Sequence, residues 1–256
     1  MSHPFTPRVG AVMSADIAVP EHEREVAFYS RALTTGDAPF WKEDLMNNLG
    51  MPVIGLGQRV PEYESLPLQW MPHIQVNDIA ASPARALELG GTEVMHGKDD
   101  RGASQWAVML DPNGAAFGLI AVVPAESVPE IEEGAQVGSI AWLDLTVPDA
   151  AATRDFYCQA VGWTVQDHEM TDDDGTYHDY VLVGGDGKPV GGICHARGVN
   201  QGVPPVWMMY LPVGDLDTSI ARVEEDGGTV IKRTEGSYNI AFVQDPVGVH
   251  FGLIQS

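Results

Sequence analysis

The period of apolar residues changes several times along the chain, and each change marks an element. AVMSADIAV (11–19) alternates as a strand does, and PEHEREVAFYSRAL (20–33) then sets Val26, Phe28, Tyr29, Ala32 and Leu33 at helical spacing. A poorly patterned stretch follows. MPVIGLG (51–57) reads as a strand bearing glycine, and PEYESLP (61–67) as a connection. HIQV inside WMPHIQVND (70–78) is a short strand, SPARALELGG (82–91) a helix stopped by Gly90 and Gly91, and TEVM (92–95) a strand. WAVMLDPNGAAFGLIAVV closes the set as a hairpin.

The same order then begins again. DPNGAAFGLI (111–120) returns as DPVGVHFGLI (245–254), with Asp-Pro opening a turn and Gly114 or Gly248 supplying its positive φ. VMSADIAVP (12–20) matches IAWLDLTVP (140–148), Phe28-Tyr29 recurs as Phe156-Tyr157, and Trp70 recurs as Trp207. The offset grows before Trp207, so extra residues are expected around TDDDGT (171–176) and after Cys194. Residues 122–139 hold two prolines and an acidic cluster without periodicity, which suits a linker. The expected division is a first domain at 1–121, a linker at 122–139 and a second domain at 140–256.

Each half carries strand–helix–strands twice, giving four βαβββ modules. One such module covers a single face of its sheet, so modules must pair to gain a core. The expected class is α+β: two tandem domains, each of two βαβββ modules forming a curved sheet cup with helices outside. Cups of this kind receive ligands.

Composition narrows the function. With 14 Lys and Arg against 36 Asp and Glu, the net charge of −22 repels phosphate backbones and anionic surfaces, which disfavours nucleic acid and membrane partners. No apolar run approaches a membrane span, and MSHPFTPRVG lacks a signal-peptide pattern, so a cytoplasmic protein is expected. Cys158 and Cys194 are too few for a disulfide framework or a cysteine-rich zinc site.

Through WLDLTVPDAAATRDFYCQAVGW, PVGG (189–192), WMMYLPVGDLD and both DPxGxxFGLI stretches, the sequence resembles the vicinal oxygen chelate superfamily. That superfamily includes glyoxalase I, extradiol dioxygenases and bleomycin-resistance proteins; the resemblance is to its tandem two-domain bacterial form. It implies a cup that holds a divalent metal through His or Gln on first strands and Glu on last strands. Carried onto this chain, those positions fall on Ser14, Met71, Trp142 and Met208, and on Gly118 and Gly252. None suits a hard or borderline cation, so no metal and no other cofactor is expected.

Strand alternation places Asp16 and His73 in the first cup, and Asp144, Tyr210 and His250 in the second. A carboxylate beside an imidazole is the arrangement of acid–base catalysis, which makes these five the catalytic candidates. The alternative is that Asp16 and Asp144 cap local amides and the histidines are satisfied wall residues. For ligand binding the candidates are Ser14, Met71, Gly118, Trp142, Met208 and Gly252, with the glycines leaving room for an organic guest. Trp70 and Trp207 read as packing, Cys158 as a passive thiol, Cys194 and His195 as diverging neighbours, and the acidic 171–176 turn as solvated rather than as a cation trap.

The leading expectation is therefore a metal-independent protein that binds a small apolar or aromatic molecule, of the sequestration or resistance kind. Two alternatives stand beside it: an enzyme of lyase, isomerase or dioxygenase type acting through a divalent metal or through cup Asp and His, and an interaction protein with filled cups. Pairing of modules within one chain allows a monomer, and a homodimer through other surfaces is compatible with it.

Overall fold

In the computed structural model the described residues are 6–132, 134–234 and 239–256; the first five residues, part of the stretch read as lacking a signal-peptide pattern, lie outside them. The first module comprises β1 (Val12–Val19), α1 (His22–Leu33) and β2 (Ile54–Gln58). The second comprises β3 (Met71–Val76), α2 (Ala81–Glu88), β4 (Thr92–Lys98), β5 (Ser104–Leu110) and β6 (Ala116–Ala121). The third comprises β7 (Trp142–Val147), α3 (Ala150–Val161), β8 (Thr164–Asp172), β9 (Gly175–Val183) and β10 (Pro189–His195), and the fourth β11 (Trp207–Val213), α4 (Leu216–Glu225), β12 (Thr229–Thr234), β13 (Ile240–Gln244) and β14 (His250–Gln255). The architecture is mixed α+β with two repeats, as the patterning implies. No helix among the described residues is long and apolar enough to cross a membrane.

The first module departs from the others. Between α1 and β2, where they carry a hairpin, it has a loop closed by the isolated bridges Trp41↔Asn47 and Met46↔Pro52. Pro39, Pro52 and the positive φ of Gly36 and Gly50 break strand continuation there. Asn47 supplies the order instead, its Oδ1 accepting from the amides of Leu49 (2.9 Å) and Met51 (3.0 Å). Trp41 anchors the loop, buried and donating to the Pro212 carbonyl at 3.0 Å. The extra residues of the third module go where length differences predict: into the long β8–β9 hairpin and the 196–206 loop.

Packing divides the chain differently from its repeats. One compact unit (unit 1) is Met1–Met13, Met71–Val128 and Leu143–Trp207; the other (unit 2) is Ser14–Trp70, Pro129–Trp142 and Met208–Ser256. Unit 1 thus joins the second and third modules, with strand orders β3-β6-β5-β4 and β7-β10-β9-β8. Unit 2 joins the first and fourth, with β2 beside β1 and the order β11-β14-β13-β12.

Each unit is built around one aromatic cluster. In unit 1, Phe117 of β6 meets Phe156 and Tyr157 of α3 at centroid distances of 6.1 and 5.1 Å, and Tyr157 meets Trp207 at 5.1 Å. In unit 2, Phe251 of β14 meets Phe28 and Tyr29 of α1 at 6.3 and 5.0 Å, and Tyr29 meets Trp70 at 5.5 Å. Burying aromatics of this size supplies much of a core's hydrophobic stabilisation, and edge-on contacts add about 0.5–1.5 kcal/mol each. Trp70 and Trp207 are core residues, each 1% exposed.

The Asp-Pro turns lock each cluster to its sheet. Asp111 Oδ1 accepts from the amides of Asn113 and Ala115, and Asp245 Oδ1 from those of Val247 and Val249. Gly114 and Gly248 adopt φ of 86° and 100°, the left-handed conformation the turn requires. The second carboxylate oxygen reaches the cluster: Tyr29 donates to Asp245 at 3.0 Å and Tyr157 to Asp111 at 3.4 Å, while Trp70 and Trp207 donate to these tyrosines at 3.1 and 2.9 Å.

Candidate functional site

Since Phe117 and Phe251 face helices, their strand neighbours Gly118 and Gly252 face the opposite way. Register extends that face across each sheet. In unit 1, Gly118 lies beside His73 on β3 and Val108 on β5, while Ile120 lies beside Gln75 and Trp106. On the other sheet of unit 1, Gly192 lies beside Asp144 on β7 and Val181 on β9, and Cys194 beside Thr146. In unit 2, Gly252 lies beside Tyr210 on β11 and Phe242 on β13, and Gly55 beside Asp16 on β1.

One rule connects the four modules: a chemistry-bearing residue of the first strand is paired with a glycine of the neighbouring parallel strand. The pairs are Asp16–Gly55, His73–Gly118, Asp144–Gly192 and Tyr210–Gly252. These glycines do not leave vacant room. A Cβ at Gly118 would come within 2.6 Å of His73 Cδ2, one at Gly252 within 2.8 Å of Tyr210 Cε1, and one at Gly192 would strike the Asp144 carboxylate. At Gly55 the Asp16 Cβ would be 3.3 Å away. The polar side chain therefore leans sideways over its glycine, and the space expected for a guest at Gly118 and Gly252 is filled by His73 and Tyr210.

Exposure separates the candidates. Asp16 is exposed; His73, Asp144, Ser14, Trp142 and His250 are half-buried; Met71, Met208 and Tyr210 are buried. Asp16 belongs to unit 2 and His73 to unit 1; likewise Asp144 belongs to unit 1, and Tyr210 and His250 to unit 2. His250 Nε2 lies 3.2 Å from the Gln244 side-chain amide nitrogen, which also donates to the Gly248 carbonyl. With the amide as donor, that ring nitrogen is an acceptor and the imidazole is neutral. Burial holds the His250 pKa below its ordinary value, against the opposing pull of the Asp245 charge. At helix N-termini, Asp149 accepts from Ala152, Asp215 from Thr218, and Asp78 from Ala80 and Ala81.

Trp106 is a residue that sequence patterning missed. It sits on the same face as His73, two strands away, with 39% of its surface exposed. Its ring lies over Gly97, where a Cβ would come within 2.8 Å of Trp106 Cδ2. A glycine beneath an indole lets the ring lie flat and present its outer face. QWAVML reads from sequence as an ordinary hairpin strand; only the cross-strand pairing of Gly97 with Trp106 reveals the platform.

Other polar clusters have structural explanations. Burial, followed by the Asp144 and Asp179 carboxylates, pushes the Cys194 thiol well above its usual range, and burial also raises Cys158. Asp179 is buried and accepts from the His195 amide (2.7 Å), His195 Nδ1 (3.2 Å) and Asn200 Nδ2 (3.3 Å), which ties down the loop after β10. Asp172 in the acidic hairpin is gripped by Arg197 through two contacts of 2.6 Å. On β4 and β5, His96 joins Glu93 (Nδ1 to Oε2, 2.9 Å) to Ser104 (Nε2 to Oγ, 2.9 Å). That is the order of a nucleophilic relay, but Glu93 stands in solvent and lacks the burial that orients such a carboxylate.

The donor set does not fit a resident divalent metal. No group of three His, Cys, Asp or Glu able to hold one occurs among the described residues. The two positions where the superfamily carries glutamate are overlaid by His73 and Tyr210, so a longer side chain there would have to displace a ring.

Comparison with known proteins agrees with this architecture. The pattern of the glyoxalase-like domain family matches residues 13–120 and again 141–254. The anthracycline biosynthesis protein DauV of Streptomyces sp. (strain C5) is 28% identical over 205 residues, covering 76% of this chain and 68% of that protein. DnrV of Streptomyces peucetius, also named for anthracycline biosynthesis, is 29% identical over 200 residues with the same coverage. Among solved structures, the Mn(II)-bound glyoxalase from Novosphingobium aromaticivorans superposes with a TM-score of 0.55 at 15% identity, covering 97% of this chain and 82% of that one. The chain belongs to the glyoxalase-like domain family and carries that domain twice.

Proposed function

We propose, from membership of this family, that the protein binds a planar, largely apolar aromatic molecule without a metal, on the sheet face of unit 1 that carries His73 and Trp106. The observation that supports this most is the exposed Trp106 ring lying over Gly97 on the same face as the His73 imidazole. An indole face stacks a flat ring system, and His73 offers one donor or acceptor to a hydroxyl or carbonyl at its edge. Val108 and Met95, paired on that face, add apolar contact. Anthracyclines, for whose biosynthesis DauV and DnrV are named, are fused polycyclic aromatics with hydroxyl and carbonyl edges, and this is the ligand class the platform suits.

The residues give such a ligand stacking and hydrogen bonds rather than bond cleavage, so the reading is one of binding, with sequestration as the role. The test uses 1,4-dihydroxyanthraquinone titrated into protein in EDTA, followed by calorimetry. Saturable binding of one molecule per chain is expected, weakened about tenfold by Trp106→Ala, equivalent to about 1.4 kcal/mol. Failure to saturate, or identical affinity in Trp106→Ala, would overturn the reading.

A further inference from the structure

The seam between α1 and the Asp245 turn in unit 2 holds two carboxyl groups where the matching seam of unit 1 holds one. Glu25 is fully buried, and neither of its carboxyl oxygens meets a hydrogen-bond donor. Asp245 beside it is also buried, with Oδ1 occupied by the Val247 and Val249 amides and Oδ2 by the Tyr29 hydroxyl. An ionised carboxylate without donors is among the costliest groups a core can enclose. A protonated one is different: its O–H is a donor, and the Asp245 carboxylate is an acceptor facing it.

We propose that Glu25 and Asp245 bind one proton between them, and that this shared proton fastens the first module to the last within unit 2. The repeat supplies the comparison. Thr153 occupies the place of Glu25, and Asn113 that of Val247. There the Asn113 side-chain amide donates to Asp111 Oδ2 at 3.2 Å and to Thr153 Oγ1 at 3.0 Å, while Thr153 donates to the Asp149 carbonyl at 2.9 Å. An amide spans the seam in unit 1. In unit 2 no amide is available at Val247, and the acid–carboxylate pair takes its place.

The charges around the pair do not substitute for the proton. Arg24 and Glu21, on and just before α1, pair with each other at 3.0 Å on the exposed side, and Tyr29 is committed to Asp245. His22 is bonded to the Leu56 carbonyl of β2, and His250 of β14 lies on the opposite face of its strand but feels the Asp245 charge. From α4, Arg222 reaches the carbonyls of Arg31 and Thr34, while Glu225 and Asp226 take Arg31. Burial first, and the Asp245 charge second, push the Glu25 carboxyl up to about 8. The folded protein therefore keeps a proton that the unfolded chain releases once pH exceeds the ordinary glutamate range. Stability falls as pH rises from that range to about 8 and then levels.

Difference infrared spectroscopy of the full chain at pH 7, wild type minus Glu25→Gln, should show one protonated carboxyl C=O band that disappears as pH passes 8. Chemical denaturation from pH 5 to 9 should show the wild type losing up to one proton per molecule on unfolding, with the slope flattened in Glu25→Gln and in the repeat-borrowed double variant Glu25→Thr/Val247→Asn. Absence of the carboxyl band at pH 7 would overturn the proposal. So would an unchanged pH slope in a folded variant. The wild-type spectrum, recorded across pH, decides the matter even where a variant fails to fold.

Discussion

The His73 imidazole leans across Gly118, its neighbour on the adjoining parallel strand, so closely that a methyl group on that glycine would collide with it. Gly118→Ala should therefore destabilise the protein by about 1–3 kcal/mol, the usual range for forcing volume into a packed site. In a His73→Ala background the same substitution should cost clearly less, because the obstructing ring is gone. Urea denaturation of the four proteins in the cycle measures the coupling. Equal costs in both backgrounds would show that the glycine serves its backbone and not the ring.

The two thiols should be inert in the folded protein. Burial raises both Cys158 and Cys194, and the carboxylates of Asp144 and Asp179 add to the effect at Cys194. Thiolate is the reactive form, so reaction with a thiol reagent at pH 8 should be slow until denaturant is added, when both should react rapidly. Rapid modification of Cys194 in native protein would contradict its placement.

His250 gives a pH dependence opposite in sign to that of Glu25. Its pKa is held down by burial, so the unfolded chain binds a proton more readily than the folded one, and stability is lost as pH falls through the ordinary histidine range. His250→Gln should remove that acid-side slope while leaving the alkaline behaviour unchanged. Proton-detected titration of the imidazole resonance reports the shift directly; a His250 pKa at or above the free value would be inconsistent with the buried, Gln244-bonded neutral ring.

Much of the fold was legible because duplication writes the same signals twice. The Asp-Pro-x-Gly turns, the Phe-Tyr helices and the two tryptophans are all found where patterning put them. Asp16, His73, Asp144 and Tyr210 lie on the first strands of their modules, where the repeat put them. What patterning missed depends on lateral neighbours. Gly118 and Gly252 looked like openings because the sequence does not show which side chain lies beside a glycine on the next strand. Trp106, and Glu25 inside the charged run EHERE, did not stand out for the same reason. The grouping of modules was invisible too, because Phe28-Tyr29 and Phe156-Tyr157 offer the same apolar helix face.

That grouping sets a timetable for biosynthesis. When the ribosome has released the whole first repeat, each compact unit still lacks one of its two modules. Unit 1 becomes complete only once Trp207 has emerged, and unit 2 only once Ser256 has. Tyr29 meets its Asp245 partner 216 residues after it was made. Helix α1 is thus made well before it can find its resting place, and until then its aromatic face is left for the nascent chain, or a chaperone, to shield.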